Sequence, residues 1–456
     1  MTATTLRSRV LIVGAGPIGK TAALLLARYR VAVTLLEKGD GLSDEPKAIS
    51  VDDEALRIYQ QAGIIDEVLR IIVPGLGTYY FDSDSQPMFL GGSPKLGRFG
   101  YPFKNPFSQP ELEHVLHRAL VSASTVTYLT HHEVTSIHQD DNGVTATATT
   151  PDGEIVEFTG DYLIGADGGR SQVRAATGVR MSGRNYPDTW LVIDTTSDPH
   201  DERYGLHYGD PRRPHVIVPG RDGRCRYEFP VTAAEGTPGE TPSLELIQRL
   251  VAPYRQISAD QVERAVIYRF NALNAHAYQV GRVFLAGDAA HMMPPFAGQG
   301  LNSGLRDVFN LCWKLTQTLS GVLTPDSLAS YDSERRPQAG EVVAFSERLG
   351  RVVMTENPRI ARGRDRIIRE QLQDPQRRAY FEGMGYRPPL TLRDGLLCRR
   401  HRAARAGGQR RPSAPGVRPQ RRAHAPAGRR AWVRMDGDRR AGRRSGLGRR
   451  SARRPG

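Results

Sequence analysis

The chain has few cysteines, no long apolar run and no internal repeat. Its 456 residues include only three cysteines, Cys225, Cys312 and Cys398. Three thiols cannot build a disulfide framework, so a reducing compartment, the cytoplasm, is expected. No stretch reaches the roughly 20 apolar residues that a membrane-spanning helix needs, and the first residues lack the pattern of a secretory leader. Cysteine and histidine do not recur at metal-ligand spacings. The adjacent pair His131-His132 reads as a solvated strand start, and no metal is expected. These absences leave a chain long enough for two or three domains and a large core.

The net charge of +14 is unevenly spread. The last 58 residues contain twenty arginines and two aspartates but neither lysine nor glutamate, and the body before them is mildly acidic, with 43 basic and 47 acidic side chains. Arg, Ala, Gly and Pro fill 44 of those 58 positions. Such a segment cannot bury enough apolar surface to offset chain entropy, so a disordered basic tail is predicted over 398–456. It reads as a solvated tail, as an arm for phosphate contacts, or as the product of a shifted frame in a GC-rich gene, since all four residue types have codons made only of G and C. The composition favours the last reading, and nucleic acid is not expected as a partner.

Three ordered segments carry the chemistry. Val10-Leu11-Ile12-Val13 reads as a buried strand of a parallel sheet. It runs into Gly14-Ala15-Gly16-Pro17-Ile18-Gly19, then a helix predicted over 18–29 and a second buried strand over 31–36 that ends at Glu37. In this strand-turn-helix setting Gly14 allows the tight turn, Gly16 admits a pyrophosphate and Gly19 lets helix and strand pack closely. The helix N-terminus favours phosphate. Glu37 lies 23 positions past Gly14, close to the interval of a ribose-binding acid.

The second segment, Tyr162-Leu163-Ile164-Gly165-Ala166-Asp167-Gly168, and the third, Val283-Phe284-Leu285-Ala286-Gly287-Asp288, repeat the strand-to-turn form. Asp288 falls at a strand's C-terminal end, where open α/β sheets bind ligands and a carboxylate can meet a polyol hydroxyl. The loop Met292-Met293-Pro294-Pro295-Phe296-Ala297-Gly298-Gln299-Gly300-Leu301-Asn302 is stiffened by proline and bared by glycine, so a flat ring can lie against it. Leu301, Leu305, Val308, Cys312, Leu315 and Leu319 then recur at helical spacing, and Gly321 is a plausible stop. That helix start favours a nearby anion, such as a reduced flavin.

With these pieces in place the chain resembles the class A flavoprotein aromatic hydroxylases, single-component FAD monooxygenases. Within them it is most similar to the 3-(3-hydroxyphenyl)propionate hydroxylase group. The residues that carry the resemblance are Lys47-Ala48-Ile49-Ser50-Val51-Asp52-Asp53-Glu54, Trp190-Leu191-Val192-Ile193-Asp194 and the run from Gly298 to Asp307. Aromatic polyketide hydroxylases share much of this pattern, and that neighbour stays open.

The resemblance implies an α/β fold: a Rossmann-like FAD-binding domain of the p-hydroxybenzoate hydroxylase type, with an inserted β-sheet substrate domain. The FAD-binding domain would take residues 1–178 and 271–350, the substrate domain 179–270, and a helical extension 351–397. Short strand-like runs over 189–195, 215–218 and 224–229 agree with a β-rich insert. Relatives continue past about residue 397 with a small thioredoxin-like domain. The implied partners are a small phenolic substrate, O2, and NADH or NADPH as reductant of FAD, with a flavin C4a-hydroperoxide delivering one oxygen atom. A membrane is not implied, and the choice between monomer and homodimer stays open.

The implied site follows residue by residue. Gly14, Gly16, Pro17, Ile18, Gly19, Glu37 and its neighbour Lys38 would bind the ADP half. Gln109 would lie near the ribityl and flavin region, or else merely start a helix with Pro110. Asp167 and Gly168 would separate the flavin and nicotinamide sites. Gly287 and Asp288 would hold the ribityl chain. Gly300, Leu301 and Asn302 would offer backbone N–H groups to the flavin pyrimidine edge, and the Pro295 carbonyl would face the hydroxylation site. Lys47 stands where relatives often carry arginine near the mobile flavin, and reads equally as a solvated loop lysine. No base is named; His207, Tyr208 and Tyr227 are candidates. Arg184, Arg203, Arg212, Arg213 and Arg269 are candidate partners for a propionate.

Overall fold

The computed structural model describes residues 5–43, 47–93, 95–389, 391–392 and 394–396. Cys398 and the arginine-rich stretch 398–456 lie outside the described residues. No helix among the described residues is long and apolar enough to cross a membrane. Cys225 and Cys312 are both buried and unbridged.

A six-stranded sheet orders its strands as Gln279–Val280, Val283–Leu285, Tyr162–Gly165, Val10–Val13, Val33–Leu36 and Val126–Leu129. All neighbours are parallel except the first pair. The central strands are buried along their whole length, which is why they read as apolar runs without alternation. Helix Pro17–Arg28 follows the first glycine turn, with proline in its first turn and no side-chain cap. Helix Gly300–Leu319 packs against it. Gly321 takes φ +75° just past that helix, and the next residue, Val322, returns its N–H to the Gln317 carbonyl at 2.9 Å. The predicted glycine stop is thus a left-handed cap.

The second large sheet has eight strands, in the order His291–Met292, Val262–Ala275, Met181–Thr195, Cys225–Val231, His215–Pro219, Tyr204–Tyr208, Gly77–Phe81 and Pro87–Gly92. The last two come from the stretch assigned to the FAD-binding domain by sequence. Gly77–Phe81 joins by parallel pairing with Tyr204–Tyr208, a partner more than a hundred residues away that local pattern does not reveal. Residues alternate between the two faces. One face buries Leu191, Ile193, Leu206, Ile217, Tyr227 and Phe229 against helix Leu244–Val251. The other presents Trp190, Asp194, His207, Arg226 and Glu228 towards the segments that carry Phe296 and Lys47. There Trp190 meets Phe296 at 5.4 Å between ring centroids, and Arg226 donates to the Lys47 carbonyl at 3.3 Å. This sheet is the lid of the cleft described next. Helices Ser330–Val353, Pro358–Gln371 and Pro375–Glu382 follow it.

Candidate flavin site

The three glycine turns and Glu37 leave the C-terminal ends of four adjacent parallel strands. Gly165 is in register with Val13 on one side and Leu285 on the other, and Val13 with Leu36. Segments 270 residues apart therefore open on one crevice, where open α/β sheets bind ligands.

Contacts between the turns are backbone-close. Gly14 has φ +98°, and a Cβ there would lie 2.5 Å from the Ala166 carbonyl oxygen; one at Gly19 would lie 1.9 Å from the Gly14 oxygen. Ile18 fills the space over Gly287 and Gly304. Arg174, which the sequence reading passed over, ties the second turn to the third by donating to the Gly169 carbonyl at 2.8 Å and the Ala289 carbonyl at 3.0 Å.

The residues fit a dinucleotide. Gly16, Gly168 and Gly300, one from each region, are positions where an added Cβ would meet nothing within 4 Å. Helix Gly300–Leu319 has no side-chain cap on its first turn. Asp288 is hemmed in by protein yet solvent-accessible, because it faces the cleft, and its carboxylate accepts no hydrogen bond among the described residues. Burial pushes its pKa up, against the pull of His291 and Lys47. An acid held this way lacks only a hydroxyl donor. Glu37 accepts from the Ala15 N–H at 2.7 Å and the Gly39 N–H at 2.9 Å, one on each carboxylate oxygen, and each oxygen keeps a further lone pair for a ribose. Lys38 is exposed beside it. Below the turn, the buried Lys20 pairs with Glu113 and donates to the Gly41 carbonyl, an ion pair with no sequence signal beyond two isolated charges.

Around the ring-facing loop, several expected residues have structural work. The Gln109 side-chain oxygen accepts from the N–H groups of Lys47 and Ala48 at 3.0 and 2.8 Å, so it starts its helix and also fixes the 47–48 segment. The Lys47 side chain is exposed, and its charge reaches Asp288. Asp167 accepts from the Ser171 hydroxyl at 2.6 Å and from the Gln172 and Val173 N–H groups at 2.7 and 3.1 Å, capping the short helix Gln172–Ala176. The Pro295 carbonyl accepts the Gly298 N–H at 2.7 Å, which closes the turn and leaves one lone pair outward.

Asn302 accepts from the Asp52 N–H and donates to the Gly298 carbonyl at 2.7 Å. Arg306 binds Asp52, Glu54 and the Gln299 side chain. Burial opposes ionisation of Asp52, but Arg306 and the Ala55 N–H hold its carboxyl below the ordinary value. Behind Asp288, Asp307 accepts from His291 at 2.7 Å, Arg335 at 2.9 Å and the Gly287 N–H at 3.1 Å. Although burial works against it, His291 and Arg335 keep the Asp307 carboxyl low.

The lid candidates separate by face. Tyr227 and Tyr208 lie on the far face. Tyr227 donates to Asp198 at 2.9 Å, and Tyr208 stacks on Phe81 at 4.4 Å, so neither reaches the cleft. His207 is on the inner face and buried, and its Nδ1 has no hydrogen-bond partner among the described residues. The arginine candidates are spent or turned outward. Arg203 donates to the Pro74 carbonyl, Arg212 pairs with Asp210, Arg213 with Glu235, and Arg184 and Arg269 are exposed. Asp198, His200 and Cys225 converge, but Asp198 is already bonded by Thr195, His200, Tyr227 and Arg255, and burial pushes the Cys225 thiol up, away from a ligating thiolate.

Beside the inner face is an apolar cavity of about 290 Å³, walled by Tyr80, Phe89, Phe345, Leu349, Val353 and Tyr386. Tyr80 edges onto His207 at 5.3 Å between ring centroids, and helix Ser330–Val353 reaches the ring-facing loop where Gly350 meets Phe296.

Residues 7–346 match the FAD binding domain family. The chain is 36% identical over 393 residues to the 3-(3-hydroxy-phenyl)propionate/3-hydroxycinnamic acid hydroxylase of Comamonas testosteroni, an alignment that covers 85% of this chain and 66% of that relative. The chain thus spans just under two thirds of that relative's length. Among solved structures, the flavin-dependent monooxygenase PieE in complex with FAD and substrate is similar at TM-score 0.65 and 27% identity, over 84% of this chain and 72% of that one. The anhydrotetracycline hydroxylase OxyS from Streptomyces rimosus is similar at TM-score 0.66 and 27% identity, over 83% and 76%. Four parallel strands that converge their turns on an open crevice, together with this match along most of the chain, make the protein a member of the FAD-dependent aromatic hydroxylase family.

Proposed function

We propose that the protein is a flavoprotein monooxygenase that hydroxylates a phenolic aromatic acid of the 3-(3-hydroxyphenyl)propionate class, with FAD as cofactor and NADH or NADPH and O2 as co-substrates. The observation that carries this reading is the junction of the ring-facing loop with the lid. Phe296 packs on Trp190 and on Phe270 at 5.9 Å, so a ring lying on 295–302 faces the inner surface of the lid and the apolar cavity. Gly14, Gly16, Pro17, Ile18, Gly19 and Glu37 would hold the ADP half, Gly287 and Asp288 the ribityl chain, and Gly300, Leu301 and Asn302 the pyrimidine edge. Bound FAD, once reduced by NADH or NADPH, would activate O2, so that one oxygen atom enters the phenol ring and the other leaves as water.

The chain's own residues do the rest. The cavity walls exclude water and grip an aromatic ring. Burial holds His207 well below the ordinary histidine value, so the ring is neutral at physiological pH, and its Nδ1, which has no partner among the described residues, can hydrogen-bond a substrate hydroxyl and orient it.

A polyketide hydroxylase is the second reading, favoured by the likeness to OxyS. Purified protein should be yellow and oxidise NAD(P)H faster when 3-(3-hydroxyphenyl)propionate is added, with a dihydroxylated product. Protein that cannot be loaded with FAD, or that oxidises NAD(P)H without making a hydroxylated product from any phenol, would overturn the proposal.

A further inference from the structure

Polar side chains from separate parts of the chain meet beneath the lid, next to the ring-facing loop. Lys104 begins the strand Lys104–Pro106, whose partner Ser50–Asp52 sets Asp52 opposite Lys104. Its backbone is therefore anchored to the same segment that Asn302 and Arg306 hold. The side chain runs along Gly298: a Cβ built on that glycine would be 3.7 Å from Lys104 Cε and 4.0 Å from Nζ. The ammonium donates to the Thr78 hydroxyl of the lid at 2.9 Å. Two of its three N–H donors remain, and no carboxylate lies within ion-pair distance among the described residues.

Its surroundings do not supply that anion. Glu228, buried on the inner face, is within reach of the Lys104 charge, but its nearest cation is Arg226 at 4.0 Å. Arg387, stacked over Phe103 at 4.9 Å, adds positive charge. His207 shares the inner face with Thr78 through the register Gly205–Thr78 and His207–Tyr80, and its Nδ1 is buried and unpartnered. A half-buried ammonium with spare donors, beside an imidazole without a partner among the described residues, offers an anion a ready charge-assisted contact.

We propose that Lys104 binds an oxyanion of the substrate, its phenolate or its carboxylate oxygen, and thereby selects acidic aromatics. The assignment rests on the hydroxylase reading above. It names a cation that the sequence reading sought among the lid arginines, whereas the structure supplies it from the FAD-binding domain.

The test is a binding titration of FAD-loaded enzyme, followed by the change in flavin absorbance, with three probes: 3-(3-hydroxyphenyl)propionate, 3-phenylpropionate and 3-ethylphenol. Lys104→Met should weaken binding of the first by about 10- to 100-fold, the loss of one charge-assisted contact. Lys104→Arg should recover most of it. A parallel loss for 3-phenylpropionate alone assigns the carboxylate, and one for 3-ethylphenol alone assigns the phenolic oxygen. Should Lys104→Met not retain flavin, Thr78→Val, which loosens the lysine without removing its charge, should give a smaller loss with the same ranking of probes. Lys104→Met binding all three like wild type, or losing all three alike without recovery in Lys104→Arg, overturns the assignment. Wild-type enzyme that binds none of the probes fails earlier and sinks the hydroxylase reading instead.

Discussion

The side-chain oxygen of Asn302 accepts the backbone N–H of Asp52 at 3.0 Å, joining positions 250 residues apart. Through this bond the ring-facing loop is referenced to strand Ser50–Asp52, and through that strand to Lys104. Asn302→Ala would leave a buried N–H and the Gly298 carbonyl without their partner, at a cost of about 1–3 kcal/mol. A lower melting temperature and faster flavin loss are expected in thermal scans with and without added FAD. Unchanged values in both would show that the loop is held by other means.

Gly14 and Gly16 should respond differently to the same substitution. Gly14→Ala meets both a positive φ and the Ala166 backbone, and should destabilise the fold itself by more than about 2 kcal/mol. Gly16→Ala meets no protein atom, so the apoprotein should unfold normally while FAD binding is lost. Chemical denaturation of apoprotein alongside a flavin titration separates the two. Tight FAD binding by Gly16→Ala would contradict the placement of the pyrophosphate.

Asp288→Asn offers a complementary case. The exposed carboxylate has no donor to lose among the described residues, so apoprotein stability should hold. Flavin affinity should nonetheless fall, read as the dissociation constant from fluorescence quenching. A destabilised apoprotein would mean that Asp288 is structural.

A pH dependence follows from Lys104. Burial first, and then the charge of Arg387, bring its pKa down to about 8, with Glu228 pulling the other way. His207, also beside it, is already neutral there, and Glu228, raised by burial, is the one acid whose charge reaches it. The cation is present below pH 8 and lost above, so affinity for 3-phenylpropionate should be full on the acid side and decline as pH rises through that value. A bound anion moves the midpoint upward, and Lys104→Arg should flatten the profile, since guanidinium stays charged. Affinity that increases with pH in this window would exclude a cationic role.

Much of the site was legible because the relevant signals are local. A turn that needs Gly14 at positive φ and Gly19 without a Cβ must show those glycines in its sequence, and a strand buried on both faces must be continuously apolar. The side-chain contacts of Asp167 and Asn302, and the hold of Gln109 on residues 47–48 beyond its expected helix start, were not legible. Each stood in the right segment, but whether its side chain faces a ligand or fastens a neighbouring loop depends on partners far along the chain. Tyr208 and Tyr227 fell on the wrong face of the lid because the pairing register, set by partner strands, decides which alternate residues face inward.

The sequence by itself determined the βαβ frame, the three glycine turns and the position of Glu37 and Asp288 just past their strands, since each depends on backbone geometry within a few residues. Only the tertiary structure decided that Gly77–Phe81 and Pro87–Gly92 join the lid, that Arg306 reaches back to Asp52 and Glu54, and that Lys104 bonds Thr78 with no carboxylate partner among the described residues. Those facts arise from long-range strand pairing and from charges brought together by it, and no local pattern encodes where a distant partner will be.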